Sequence, residues 1–130
     1  MSVYSPPNSQ NLPVLVWIHG GGYGEGNGGQ DLGPIIATNN GSFVGVAIQY
    51  RLGAFGFMSS DEVYQNGVVN AGIRDQTFAL QWVQSYIHWF GGNASQVTIS
   101  GESAGGGSVM LQSMAYGGTL GTSLFSNVSI

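Results

Sequence analysis

Ser103 sits between glycines in Gly101-Glu102-Ser103-Ala104-Gly105, a G-x-S-x-G pattern. A serine becomes a useful nucleophile only when its hydroxyl is exposed and activated by a base. A sharp, strained turn from a strand into a helix exposes it, and such a turn leaves no room for side chains two residues to either side. The pattern alone arises easily in a chain with 23 glycines. Its setting is more specific. The apolar run Val97-Thr98-Ile99-Ser100 precedes it, and a stretch opening in small residues, Ala104 to Ala115, follows as the expected helix. A helix N-terminus beside Ser103 would favour negative charge there. The plainer alternative is a tight turn in which Ser103 merely caps a helix.

His19-Gly20-Gly21-Gly22 directly follows another apolar run, Val14-Leu15-Val16-Trp17-Ile18. Glycines let backbone N–H groups close on a developing oxyanion, which is what acyl transfer to a serine requires. The plainer alternative is a flexible loop. A third pattern, Gly24-Glu25-Gly26-Asn27-Gly28-Gly29, fits G-x-G-x-x-G. A dinucleotide loop would open a helix and be followed by an acidic residue for the ribose. No helix start follows Gly29 and the next strand ends in Gln49-Tyr50, so nucleotide binding is set aside.

Both glycine motifs need strands to carry them. Val14–Ile18, Phe43–Ile48 and Val97–Ser100 are short unbroken apolar runs, the pattern of strands buried on both faces. Leu32 to Thr38 reads as a short helical turn. A long helix is expected over Asn70 to Trp89, with Phe78, Ala79, Trp82, Val83, Tyr86, Ile87 and Phe90 on one face and Gly91-Gly92 as its stop. Residues 1–13, broken by Pro6, Pro7 and Pro13, read as an irregular N-terminal arm. Arg51 to Gly67 has loop character, with Phe55 and Phe57 expected to pack inward. Asp61 and Glu62 look like a helix start, and Glu25 and Asp31 lie in a polar loop. Strand and helix alternate, which predicts an α/β fold: a central, mainly parallel sheet with flanking helices.

The composition narrows the function. One domain fits in 130 residues, and only 6% of them are charged. An average soluble chain is about 25% charged. The sparse charge reads as the interior of a larger fold, so a fragment is expected. Arg51 and Arg74 are the only basic residues, with a net charge of -4, which excludes a nucleic-acid footprint and an anionic membrane surface. The absence of cysteine excludes disulfides, thiolate metal sites and redox motifs. Two histidines are too few for most zinc sites, so no metal and no cofactor are expected. No apolar run approaches the roughly 18 residues a membrane span needs. Met1 to Pro7 has neither the basic region nor the apolar core of a signal peptide. Asn40, Asn93 and Asn127 begin Asn-x-Ser sequons, which add slight support for a secreted parent; Asn93, after Gly-Gly, is the one expected at the surface.

Several blocks in order carry a resemblance: LPVLVWIHGGGY at 12–23, QYRLGAFGF at 49–57, NAGIRDQ at 70–76, ALQWV at 79–83, FGGN at 90–93 and VTISGESAGG at 97–106. The chain resembles the type-B carboxylesterases, the group that includes cholinesterases and many fungal lipases. The resemblance implies an incomplete α/β-hydrolase domain over 1–130 that acts on small-molecule or lipid esters through an acyl-enzyme on Ser103. It implies an oxyanion hole from the N–H groups of Gly21, Gly22 and Ala104. His19 would shape that loop without being the base. Arg51 and Asp75 would form a buried structural ion pair, in which loss of one partner is strongly destabilising. Glu102 would influence the site from beside the nucleophile.

One departure is plain. In α/β-hydrolases an acidic residue and then a histidine follow the serine along the chain. Residues 104–130 contain no Asp, Glu or His. His88 precedes Ser103 at the end of the long helix, where the helix dipole alone would favour it. The expectation is therefore a nucleophile and an oxyanion loop without acid or base. The competing reading is an inactive truncated or non-enzymatic relative.

Overall fold

The computed structural model describes residues 1–119 and 121–130. Its strands are β1 (Ser2–Tyr4), β2 (Leu12–Ile18), β3 (Val44–Ala47), β4 (Gly92–Gly101) and β5 (Asn127–Ser129). Its helices are α1 (Gly33–Thr38), α2 (Gly53–Phe57), α3 (Asp61–Asn66), α4 (Ala71–Tyr86), α5 (Ala104–Met114) and α6 (Gly121–Leu124). One sheet runs in the order β1-β3-β2-β4-β5. Every pairing is parallel except β1 with β3. This is the expected α/β architecture with a mainly parallel sheet.

The sheet's register explains its core. Val44, Val14 and Val97 form one cross-strand row, and Val46, Val16 and Ile99 form the next. All six are buried and pack with Ala79, Leu80 and Val83 of α4 and Val109 of α5. The opposite face carries Leu15 and Trp17, which are only half-buried. There, among the described residues, Leu32 and Ile36 at α1 pack on Ala47 and Trp17, with Tyr4 and Phe43 beside them. The apolar run of β2 was expected to be buried on both faces; among the described residues, its second face leaves Leu15 and Trp17 half-buried.

Four other expectations need correction. The 1–13 arm is not wholly irregular, because Ser2-Val3-Tyr4 pairs with Gly45, Val46 and Ala47 as β1. The prolines that signal a break begin only at Pro6, after that strand. Phe55 does not pack inward and stays 87% exposed, whereas Phe57 meets the core. The short α2 points successive residues to different sides. The long helix ends at Tyr86 and tightens to a 3-10 turn over Ile87–Phe90, closed by Gly91 at φ 77°. Its buried face is Gly72, Gln76, Ala79, Leu80 and Val83, while Phe78 is 70% exposed. Asn93 is half-buried, since its Oδ1 accepts from Ser95 N and Oγ in a local turn, while Asn40 and Asn127 are exposed. Asp61 and Glu62 do open a helix, with Ser60 Oγ accepting from Val63 N at 3.2 Å.

Candidate active site

β2 and β4 are adjacent and parallel, and their last residues pair as Ile18 with Gly101. The loop His19–Gly22 and the turn Gly101–Gly105 therefore leave the sheet side by side. Both emerge at the carboxyl ends of the strands, where open α/β sheets bind ligands.

The turn has the geometry of a nucleophile elbow. Ser103 sits at φ 57° and ψ -121°, a conformation costly for a residue with a side chain. Gly105 N donates to the Glu102 carbonyl and Gly107 N to the Ser103 carbonyl, so α5 begins at once. A Cβ on Gly105 would run into the Ile18 carbonyl, and one on Gly101 would run into the Gly105 backbone. Both flanking glycines are thus demanded by backbone contact. Ser103 itself is exposed, and among the described residues its hydroxyl has no hydrogen-bond partner.

The loop lies against the elbow. A Cβ on Gly20 would sit 2.7 Å from the Glu102 carbonyl oxygen and 3.1 Å from Ser103 Cβ. Gly21 (φ 102°) and Gly22 (φ 59°) follow in conformations that favour glycine. Gly24 N and Glu25 N both donate to the Gly21 carbonyl at 3.0 Å, which turns the Gly21 and Gly22 peptides away from the sheet ladder. Among the described residues, the N–H groups of Gly21, Gly22 and Ala104 have no acceptor. Free amides next to an exposed serine can stabilise negative charge on a substrate oxygen.

His19 is buried beneath this loop. Its Nδ1 donates to the Gly20 carbonyl at 2.8 Å, its ring stacks on Tyr50, and its Nε2 is buried without a partner. The ring supports the loop and makes no bond to Ser103. His88 lies before β4 while Ser103 lies after it, so the length of the strand separates them. Gly92 pairs with Leu12 and Gly101 with Ile18, so at roughly 3.3 Å per residue of β2 the two ends of β4 lie about 20 Å apart. Glu102 is exposed and borders an open groove of about 570 Å³ along His19, Gly20, Gly21, Glu25 and Asp31. Its charged side chains are all acidic.

Arg51 and Asp75 do pair. Nε donates to Oδ2 and Nη2 to Oδ1, both at 2.8 Å, and Arg51 N adds a bond to Oδ2. The Arg51 guanidinium holds the Asp75 carboxyl below its ordinary pKa. The pair is not buried, however: the side chains are 56% and 28% exposed. They line a groove beside Arg74 and Phe78 that no described residue covers.

The glycine loop at 24–29 is not a phosphate cradle. Gly28 N donates to Gln49 Oε1 at 2.7 Å and Gly29 N to Asn27 Oδ1 at 2.8 Å. The next helix, α1, starts only at Gly33. Among the described residues, no His, Asp and Glu side chains gather as metal ligands, and no helix is long and apolar enough to cross a membrane.

The model of the carboxylesterase family matches residues 1–127. The chain belongs to the carboxylesterase family. This carboxylesterase-family chain is 49% identical over 113 residues to pyrethroid hydrolase Ces2a of Mus musculus, covering 84% of itself and 20% of that protein. It is 47% identical over 113 residues to acetylcholinesterase of Danio rerio, covering 84% of itself and 18% of that protein. Its fold superposes on Aspergillus niger EstA with a TM-score of 0.91 and 41% identity, over 97% of this chain and 25% of that one. The family chain thus spans about a fifth of the relatives' length and a quarter of EstA.

Several supporting residues were not marked by the sequence reading. Tyr23 and Tyr50 brace the loop, and Gln76, Ser108 and Gln112 form a buried polar cluster between α4 and α5. A signal existed for the three helix residues: Gln76, Ser108 and Gln112 are polar residues at positions where the 3.6 period puts a helix against the core.

Proposed function

We propose that this site carries out carboxylic ester hydrolysis through an acyl-enzyme on Ser103. The observation that carries the reading is the meeting of an exposed, strained serine with the unpaired N–H groups of Gly21, Gly22 and Ala104. Ser103 Oγ attacks the ester carbonyl carbon, and its proton passes to a base. The carbonyl oxygen gains negative charge and takes hydrogen bonds from the three amides. Collapse expels the alcohol, and water then releases the acid from Ser103. Glu102, Glu25 and Asp31 make the adjoining groove unfavourable for anionic esters. Neutral and cationic small-molecule esters and lipid esters are the substrate classes that remain.

The base is not among these residues, since His88 is remote and His19 is committed to the Gly20 carbonyl. Residues 1–130 alone are therefore expected to turn over esters very slowly. Two measurements test the reading. One is p-nitrophenyl ester hydrolysis by residues 1–130. The other is the same assay on Aspergillus niger EstA with its matching quarter replaced by this chain. The chimera is expected to turn over and to lose activity in Ser103→Ala. A folded chimera whose turnover is indifferent to Ser103 would overturn the assignment.

A further inference from the structure

Tyr23 follows Gly22 and has φ 61°, a left-handed conformation that a bulky residue keeps only when its surroundings impose it. Three contacts do so. Its carbonyl accepts from Gly53 N at 2.7 Å. Its ring packs on Phe57 with centroids 4.9 Å apart. Its hydroxyl lies over Gly107 of α5, where an added Cβ would come within 2.9 Å of it. Ser108 Oγ approaches the same hydroxyl at 3.5 Å, long for a hydrogen bond, so contact more than bonding seats it.

Gly107 has no other reason to be glycine. Gly101 and Gly105 are demanded by the elbow. Around a Cβ on Gly107, the only atoms within 4 Å outside its own helix backbone, among the described residues, belong to Tyr23. Beneath the hydroxyl the floor is rigid. Ser108 accepts from Gln76 Nε2 at 2.9 Å, and Gln112 Nε2 donates to the Ile73 carbonyl at 3.0 Å, which ties α5 to α4. The same helix carries Ser103 at its start. Tyr23 on α5 is thus a second contact, beside Gly20 on Glu102, that bears on how the loop sits against Ser103.

We propose that Tyr23 and Gly107 form a size-matched lock that sets the Gly20–Gly22 loop against the Ser103 elbow. They are positioning residues, and their catalytic meaning rests on the reading of Gly21 and Gly22 as oxyanion donors. The missing side chain at 107 is the socket for the extra oxygen at 23. A methyl at 107 lifts Tyr23 and the loop with it, and removing the hydroxyl from residue 23 makes room again.

The test is amide hydrogen exchange on residues 1–130, dilute, in the parent chain, Gly107→Ala, Tyr23→Phe and the double variant. The reporters are Gly24, Glu25 and Gly53, whose N–H groups bond to the Gly21 and Tyr23 carbonyls. Core amides of β2 and β4 control for global unfolding. Gly107→Ala should speed the reporters at least tenfold with core amides unchanged. The double variant should return them to within about threefold of the parent. Unchanged reporters in Gly107→Ala, or a double variant no slower than that single one, would overturn the lock. If Gly107→Ala fails to fold, a folded double variant supports the lock and an unfolded one overturns it. The ester reading stands or falls separately, on the Ser103 dependence of the chimera's turnover.

Discussion

The Tyr50 hydroxyl donates to the His19 carbonyl at 2.8 Å, and the two rings stack 4.4 Å apart with 15° between their planes. One side chain thus fixes both the backbone and the imidazole at the root of the Gly20–Gly22 loop. Tyr50→Phe keeps the stack and leaves the carbonyl without its donor. The expected cost is about 1–3 kcal/mol, read as a lower urea midpoint with unchanged slope. Burial, and then the nearby Tyr23, raise the Tyr50 pKa above its ordinary 10.0. The folded state holds this proton more tightly than the unfolded one. Its contribution is complete below pH 10 and is lost as pH rises through the raised value. Tyr50→Phe should therefore flatten the alkaline limb of a stability profile; an identical limb would show that Tyr50 is not its source.

Ser103 carries backbone strain that a glycine would not. Ser103→Gly is expected to stabilise the fold by about 1–2 kcal/mol, while Ser103→Ala leaves stability nearly unchanged. Denaturant titration of both variants decides this. Equal midpoints for glycine and alanine would mean that the turn stores no strain at this residue.

Gly21 and Gly22 should respond differently to a methyl group. At Gly21 the added Cβ meets the Glu25 backbone, and φ is 102°. At Gly22 it meets nothing, and only the φ of 59° resists. In the EstA chimera, the proposed oxyanion role of Gly21 predicts that Gly21→Ala costs about 10²–10³ in kcat, the typical loss for one such donor. Gly22→Ala should cost less than a tenth of that factor. The reverse order would remove the steric account of the loop.

The Asp75 carboxyl is held low chiefly by its hydrogen bond from Arg51, against the opposing effect of burial. A lowered folded pKa stabilises above the ordinary aspartate value of 3.8, and that stabilisation fades as pH falls through the folded value. Asp75→Asn should be the less stable form at pH 6, with the difference shrinking below pH 4. Because the pair is exposed, the difference should also shrink in high salt. A gap that persists at pH 2 would point to packing as the cause.

The elbow and the loop were legible because glycine spacing encodes backbone geometry directly. Gly101, Gly105 and Gly20 each touch main chain, and no other residue fits there. The apolar runs of β2, β3 and β4 were legible for a related reason, since a continuous row of branched residues has few uses outside a sheet. The burial of α4 was less so. Phe78 and Leu80 are both apolar, and only the docking of α4 on β2 and β4 makes Leu80 core and leaves Phe78 outside. β1 escaped notice because three residues carry too little pattern to outweigh the prolines that follow. The exposure of the Arg51–Asp75 pair could not be read from residue types, since both partners are present and bonded as expected.

The pairing of Val14 with Val97 sets when the site can exist at all. β2 is the middle strand, yet the partner that brings Ser103 to it arrives about eighty residues later in the chain. Contacts so distant in sequence make folding slow, because the intervening loop must close before any pairing rewards it. Until β4 docks, β2 offers one unpaired edge and the apolar pair Leu15 and Trp17, in a chain with only eight charged residues to keep copies apart. The vulnerable species is thus an early one, ending before the elbow. Slower synthesis or a lower temperature should change the yield of folded chain more than any single stabilising substitution in α5.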